Sequence, residues 1–323
     1  MTRLILRQTG TMSQQRLRAS WIGDIAQRIL KRRRAGFVFG IYGNALNLLF
    51  EHDLICIVAS HVELGPLNIV LSPHVSRLSS LGLRIGDRIE ARANELKFSE
   101  GFSISLDSAD TYRSETKFAR PVLGPNEIEA NAEIARRIAL QFGNMAGLGG
   151  LLDMFPNSME KTQPPDGVNI FAAWAFPHIL EMEQALQTMQ GTKLSGALQG
   201  LVGLGPGLTP SGDDTLAALA LLVSLYSNNS ERIVPQTSLI TTAISQASSR
   251  TTKLSREFLR LAALGRGNES TSRVCEAVLT GDAESVRQST KRVLEIGETS
   301  GTDTMLGVVI GANCCTRWGS RKS

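Results

Sequence analysis

Apolar and polar positions change rhythm along this chain, and the changes divide it. From Phe37 to about Tyr112 the apolar residues fall in short runs: LICIVAS (54–60), LNIVLS (67–72), DRIEARA (87–93) and FSISLD (102–107). These runs are rich in strand-forming residues and cut by Gly, Pro and Asn. GLRIGDRIEA (82–91) has the form of a tight turn feeding a strand, as small barrels use. After Pro121 the spacing becomes helical. NEIEANAEIARRIALQFG (126–143) is amphipathic, and NIFAAWAFPHILEMEQALQTM (169–189) is helical with an interruption at Pro177; the linker NSMEKTQPPDG separates them. The pattern predicts an α+β protein with a basic N-terminal arm or helix over 1–36. A mostly antiparallel, barrel-like β domain over 37–120 is expected to pack on a mostly α-helical domain over 121–323.

From Leu194 onward apolar helical runs alternate with breaks rich in Gly, Ser and Thr. Three breaks share a chemistry. Thr209-Pro210-Ser211-Gly212-Asp213-Asp214 precedes TLAALALLVSLY (215–226), SSRTTKLS (248–255) precedes REFLRLAALG, and GETSGTDTMLGVVIGANCC begins at Gly297. The first and third are echoes. Ser211-Gly212-Asp213-Asp214-Thr215-Leu216 and Ser300-Gly301-Thr302-Asp303-Thr304-Met305 both read Ser-Gly-x-Asp-Thr-apolar, with Thr209 or Thr299 and Gly207 or Gly297 upstream. The repetition suggests one site built from two helix N-termini.

A helix start leaves backbone N–H groups without intrahelical acceptors and carries the positive end of the macrodipole, so it favours phosphate or carboxylate. Glycine lets a ligand reach that backbone. Hydroxyls of Thr209, Ser211, Thr299 and Ser300, with Gly207, Gly212 and Gly301 beside them, would form a small oxyanion pocket. Thr251, Thr252 and Ser255 of the middle block are further binding candidates. Asp213 and Asp214 are the candidate catalytic groups, and Asp303 completes an acidic set able to hold an amide, an ammonium group, a Mg²⁺ ion or an arginine. The simpler alternative is that Ser211 and Asp213 cap a core helix, each cap contributing about 1 kcal/mol. A helix as apolar as TLAALALLVSLY argues against that alternative, because its buried opening offers little water to solvate two carboxylates.

Charge changes the picture only at the front. Residues 1–36 hold nine Lys/Arg, including Lys31-Arg32-Arg33-Arg34, against the single acid Asp24, while the rest of the chain carries 25 bases and 29 acids. The body is therefore no nucleic-acid surface by composition. The arm reads as a surface helix through Trp21, Ile22, Ile25 and Ile29, as a transit-peptide-like segment, or as a nucleic-acid tail. No apolar run has the length of a membrane span. Cys56, Cys275, Cys314 and Cys315 lack zinc-site spacing and read as buried free thiols of a cytoplasmic protein. His52, His61, His74 and His178 show no ligand spacing.

Other motif readings fail in detail. Gly207-x4-Gly212 has the glycine spacing of a P-loop, yet Asp213 stands where the lysine belongs. GLGPG is only a loose relative of the dinucleotide fingerprint, and no GxSxG elbow occurs. No nucleotide or redox cofactor is expected.

The blocks GLTPSGDD, TTKLS and TSGTD…LG, in that order, resemble the AllH-type family, a bacterial family that includes a subunit of anaerobic oxamate carbamoyltransferase. The resemblance covers residues 35 to 316, β-rich front then helical rear. It implies a part in converting oxalurate and phosphate to oxamate and carbamoyl phosphate during anaerobic allantoin use. It also implies a three-component assembly with hetero-oligomeric partner subunits and Mg²⁺. Three readings stay open: a carbamoyltransferase subunit binding carbamoyl phosphate, oxamate or a similar small anion; another small-metabolite enzyme with the same anion pocket; and a non-catalytic binding or scaffold subunit. None involves nucleic acid or a membrane.

Overall fold

In the computed structural model, residues 16–72, 77–92, 94–99, 101–230 and 235–319 are described. The chain divides into two units, one ending at Ser114 and the other beginning at Glu115. Among the described residues nine strands build the first: β1 (Arg16–Gly23), β2 (Ala35–Ile41), β3 (Ala45–Phe50), β4 (Asp53–Val58), β5 (Asn68–Leu71), β6 (Arg88–Arg92), β7 (Glu95–Phe98), β8 (Ser103–Ser105) and β9 (Asp110–Tyr112). Their order is β5-β4-β3-β2-β6-β7-β8-β1, closed into an eight-stranded barrel by antiparallel pairing of β1 with β5; β9 runs parallel to β1 beyond β8. Most of the pairings are antiparallel, as the runs predicted. Alternation fills the interior: Ile89, Ala91, Leu96 and Phe98 point in while Arg88, Glu90 and Arg92 point out.

Part of the basic arm belongs to this barrel. Residues 16–23 form β1, and helix α1 (Asp24–Arg32) starts only at Asp24. Trp21 and Ile22, which share a helical spacing with Ile25 and Ile29, instead pair with Val70 and Ile69 across the closing seam. A bulge between Ala19 and Trp21 interrupts the two-residue alternation that would have marked a strand. Arg33 of the basic cluster pairs with Glu51 at 2.7 Å and Asp53 at 3.2 Å. Residues 1–15 and His74 lie outside the described residues.

The second unit is helical: α2 (Pro125–Phe142), α3 (Ile170–Thr188), α4 (Gly191–Leu201), α5 (Ser211–Asn229), α6 (Gln236–Ala247), α7 (Lys253–Ala262), α8 (Glu269–Thr280), α9 (Ala283–Leu294) and α10 (Ser300–Gly319). The apolarity of α5 has a direct cause. It is buried on nearly every side, packed against α10, α7, α8 and α6, and α10 is in turn wrapped by α2, α9 and α3. Gly307 permits the close crossing of this central pair, since a Cβ there would lie 2.0 Å from the Thr215 carbonyl oxygen. Helix α3 runs through Pro177 without a break. Pro177 is exposed, on the side of the helix turned to solvent.

Candidate functional site

The echoed motifs open α5 and α10 in the same way. Gly212 lies on the end of α4, where a Cβ would sit 2.0 Å from the Leu201 carbonyl oxygen. Gly301 lies on the end of α9, where the corresponding distance to the Val293 oxygen is 2.2 Å. Left-handed glycines turn the chain into each opening: Gly205 and Gly207, both with φ 105°, before α5, and Gly297, φ 59°, before α10. Thr215 joins the two starts, its hydroxyl lying 3.0 Å from both the Ser211 and the Asp303 carbonyl oxygens.

Side chains cross over between the halves. Each serine lies near enough to the aspartate of the other half to favour its charged form, Ser300 for Asp214 and Ser211 for Asp303. Each aspartate also keeps a threonine from its own loop, Thr209 for Asp214 (3.3 Å) and Thr299 for Asp303. The position before that aspartate anchors a neighbouring loop in both halves. Asp213 accepts the Gly203 N–H at 2.9 Å, and Thr302 accepts the Asn144 N–H at 2.9 Å. The middle block joins here. Thr251 donates to the other Asp213 oxygen, while Thr252 caps α7 through the Ser255 N–H (3.1 Å) and donates to the Leu208 carbonyl (3.2 Å). All three blocks therefore meet.

Burial raises the pKa of all three acids. For Asp213 the rise is opposed by Thr251, the Gly203 N–H and Ser255; for Asp303 it is opposed by Ser211, the Leu148 N–H and Thr299. Asp214 is pushed well above the usual carboxylate range, first by burial and then by repulsion from Asp303 and Asp213, against the pull of Ser300 and Thr209. The three differ in access. Asp213 and Asp303 are buried, whereas Asp214 is half-buried, as are Thr209, Thr251, Thr252, Thr299 and Ser300. Three polar atoms in the buried floor complete no hydrogen bond of normal geometry: Ser211 Oγ, Ser255 Oγ and Asp303 Oδ2.

Simple capping is not what the acids do. The residue before α5 is Pro210, which has no side-chain cap, and Asp213 spends its oxygens on Gly203 and Thr251. The backbone N–H groups that would greet an anion are also largely engaged. Gly212 N donates to Leu204, Asp213 N and Asp214 N to Pro210, Gly301 N to Ile296 and Asp303 N to Thr299. What remains open is a rim of hydroxyls around Asp214, at the positive ends of two helices.

One contributing segment carries no signal among the three blocks: the loop after α2, GNMAGLGG (143–150). Its Leu148 N–H reaches Asp303 Oδ1 at 2.6 Å, and Gly147 leaves room for that carboxyl, which a Cβ would approach to 2.4 Å. Asn169 holds the loop by donating to the carbonyls of Met145, Ala146 and Gly147. The glycine run was the only trace of it in the sequence.

Among the described residues, no group of three or more His, Cys, Asp or Glu side chains is arranged to hold a metal ion. Both Asp213 oxygens are engaged, by the Gly203 N–H and by Thr251. His178 packs against Gly200 between α3 and α4. All four cysteines are free and buried. Among the described residues no helix is long and apolar enough to cross a membrane.

A closed barrel followed by a helical unit, whose central helices open together on a carboxylate–hydroxyl cluster, defines an α+β protein with one buried acidic focus. The chain belongs to the AllH family: the model described as oxamate carbamoyltransferase subunit AllH matches residues 201–312, and that of the AllH family N-terminal domain matches residues 16–111. Its family is thus one of carbamoyltransferase subunits. The first match spans all three blocks, and the second begins at β1. No solved structure matches the chain.

Proposed function

We propose that this chain holds the carbamoyl-bearing substrate in the conversion of oxalurate and phosphate to oxamate and carbamoyl phosphate, working with partner subunits in the cytoplasm. The observation that carries this reading is Asp214, the half-buried acid of the trio, flanked by hydroxyls from both halves. A carbamoyl NH₂ needs an acceptor, which the carbonyl oxygen of a protonated Asp214 still supplies. A carboxylate or phosphate needs donors, which the surrounding Thr and Ser hydroxyls supply beside two positive helix ends.

The raised pKa of Asp214 reconciles an anionic ligand with neighbouring acids, because the carboxyl is biased toward its neutral form. In the reaction a phosphate oxygen bonds to the carbamoyl carbon, the bond from that carbon to the oxamate nitrogen breaks, and the nitrogen gains a proton. Protonated Asp214 is suited to give its proton to that nitrogen and to be reprotonated by the attacking phosphate. Asp213, satisfied by internal donors, supports the loop; the two candidate catalytic acids thus take different roles. The four free thiols suit a reducing compartment.

Calorimetric titration with oxamate and with carbamoyl phosphate tests the site. Asp214→Asn should weaken binding by about tenfold, on the order of 1.4 kcal/mol, without loss of melting temperature. Wild-type affinity in that variant would overturn the assignment of Asp214. The purified chain alone, given oxalurate and phosphate, should form almost no carbamoyl phosphate; turnover without partners would refute the shared-assembly part.

A further inference from the structure

Two adjacent strands of the barrel treat their outer faces differently. On β6 the outward positions are Arg88, Glu90 and Arg92, as a face turned to water requires. On β2 they are Ala35, Phe37 and Phe39, and the two phenylalanines are 38% and 40% exposed. The apolar stripe continues sideways. Phe37 stands opposite Leu49 of β3 on one side and Arg88 of β6 on the other. Ile85, 70% exposed, lies in the turn tied to β2 by the Gly86 N–H on the Val38 carbonyl (2.8 Å). One exposed apolar residue is ordinary, whereas several together on one sheet face are the pattern of a surface that another protein covers.

The surroundings of the stripe are basic. Residues 31–34, 50–53 and 84–92 hold seven bases and four acids. The acids are taken: Glu51 and Asp53 by Arg33, Glu90 by Arg92, and Asp87 by the backbone N–H of Arg84 at 2.7 Å. Lys31 and Arg32 end α1, where the negative end of the helix dipole suits them. Arg34, Arg84 and Arg88 have no such account. All three are exposed, and none forms an ion pair among the described residues.

We propose that the outer face of β2 is the docking surface for a partner subunit whose apolar patch is rimmed by carboxylates. Phe37, Phe39 and Ile85 form the apolar centre, and Arg34, Arg84 and Arg88 meet the acids. This rests on the reading that the chain works with partner subunits. A second copy of the chain is the poorer occupant, because pairing two such faces would set unpaired arginines against one another.

The test is reconstitution of the full chain with the other subunits of the carbamoyltransferase, read by light scattering and by binding titration. The wild-type chain should form the complex, and its affinity should fall by about fivefold or more between about 50 and about 300 mM salt. Phe39→Ser and the double variant Arg34→Glu/Arg88→Glu should each weaken the complex by about tenfold or more. Both should keep the wild-type melting temperature, because the altered side chains are exposed. Unchanged affinity in both variants would overturn the docking surface and leave the shared assembly standing. Loss in Phe39→Ser alone would overturn the acidic rim. Failure of the wild-type chain to join those subunits would overturn the assembly reading and the docking surface together. Variants that dissolve a homodimer of the chain while sparing the mixed complex would give the face to a second copy and overturn the proposal.

Discussion

At the start of α5, Asp213 anchors the loop before it and Asp214 keeps only part of its surface exposed. At the equivalent positions of α10, Thr302 anchors a different loop and Asp303 is closed in, with the Leu148 N–H on one oxygen. The frame is shared down to the glycine that lies on the preceding helix and the serine that serves the opposite half. The difference is what covers the aspartate. Loop 143–150 seals Asp303, and no equivalent seal buries Asp214 completely. A duplicated opening thus assigns support to one acid and access to the other, which the symmetry of the motif alone would not indicate.

The shared frame is the part most easily broken. Gly212→Ala and Gly301→Ala each drive a methyl group into a carbonyl oxygen, and each should cost about 3 kcal/mol or more by denaturant unfolding. A large loss in one half and none in the other would undo the equivalence.

The anchoring positions come next. Asp213→Ala strands the Gly203 N–H and Thr251 and should cost about 2 kcal/mol, while Thr302→Val strands the Asn144 N–H alone and should cost about 1 kcal/mol. Equal costs would mean that the second Asp213 contact contributes nothing.

The smallest effect sharpens the contrast most. Asp214 has its pKa raised in the folded state, so between the unfolded value of about 3.9 and the higher folded value the native protein holds more protons. Its contribution therefore lowers stability as pH rises through that window. Asp214→Asn should flatten the decline and leave stability at neutral pH equal or higher, as thermal melts from pH 4 to 8 would reveal. Asp303→Asn should flatten it too, with little effect on ligand affinity, because Asp303 is sealed. A steeper decline in Asp214→Asn would contradict the burial argument.

The echo was legible in the sequence because its chemistry lies in side chains: two Ser-Gly pairs, two aspartates and flanking threonines at matched spacing. The sealing loop was not, because it works through backbone N–H groups that every residue but proline possesses, at Asn144 and Leu148. The barrel's strand runs at 54–58 and 88–92 stood out through apolar density and alternation. Its closing strand did not, since the bulge beside Trp21 shifts the phase and lets Trp21, Ile22, Ile25 and Ile29 imitate one face of a helix. The expectation of open backbone donors at the helix starts also depended on loop geometry that composition does not encode; the preceding turns take up most of those N–H groups.

The hydroxyl of Thr215 that ties α5 to α10 spans 88 positions of chain. Closing a loop of that length costs chain entropy that one hydroxyl contact does not offset, so the packing of α5 on α10 must supply the difference. The two acid-bearing openings are thus held in register by the same close crossing that Gly307 permits, and a change that widens that crossing should loosen the site without touching an aspartate.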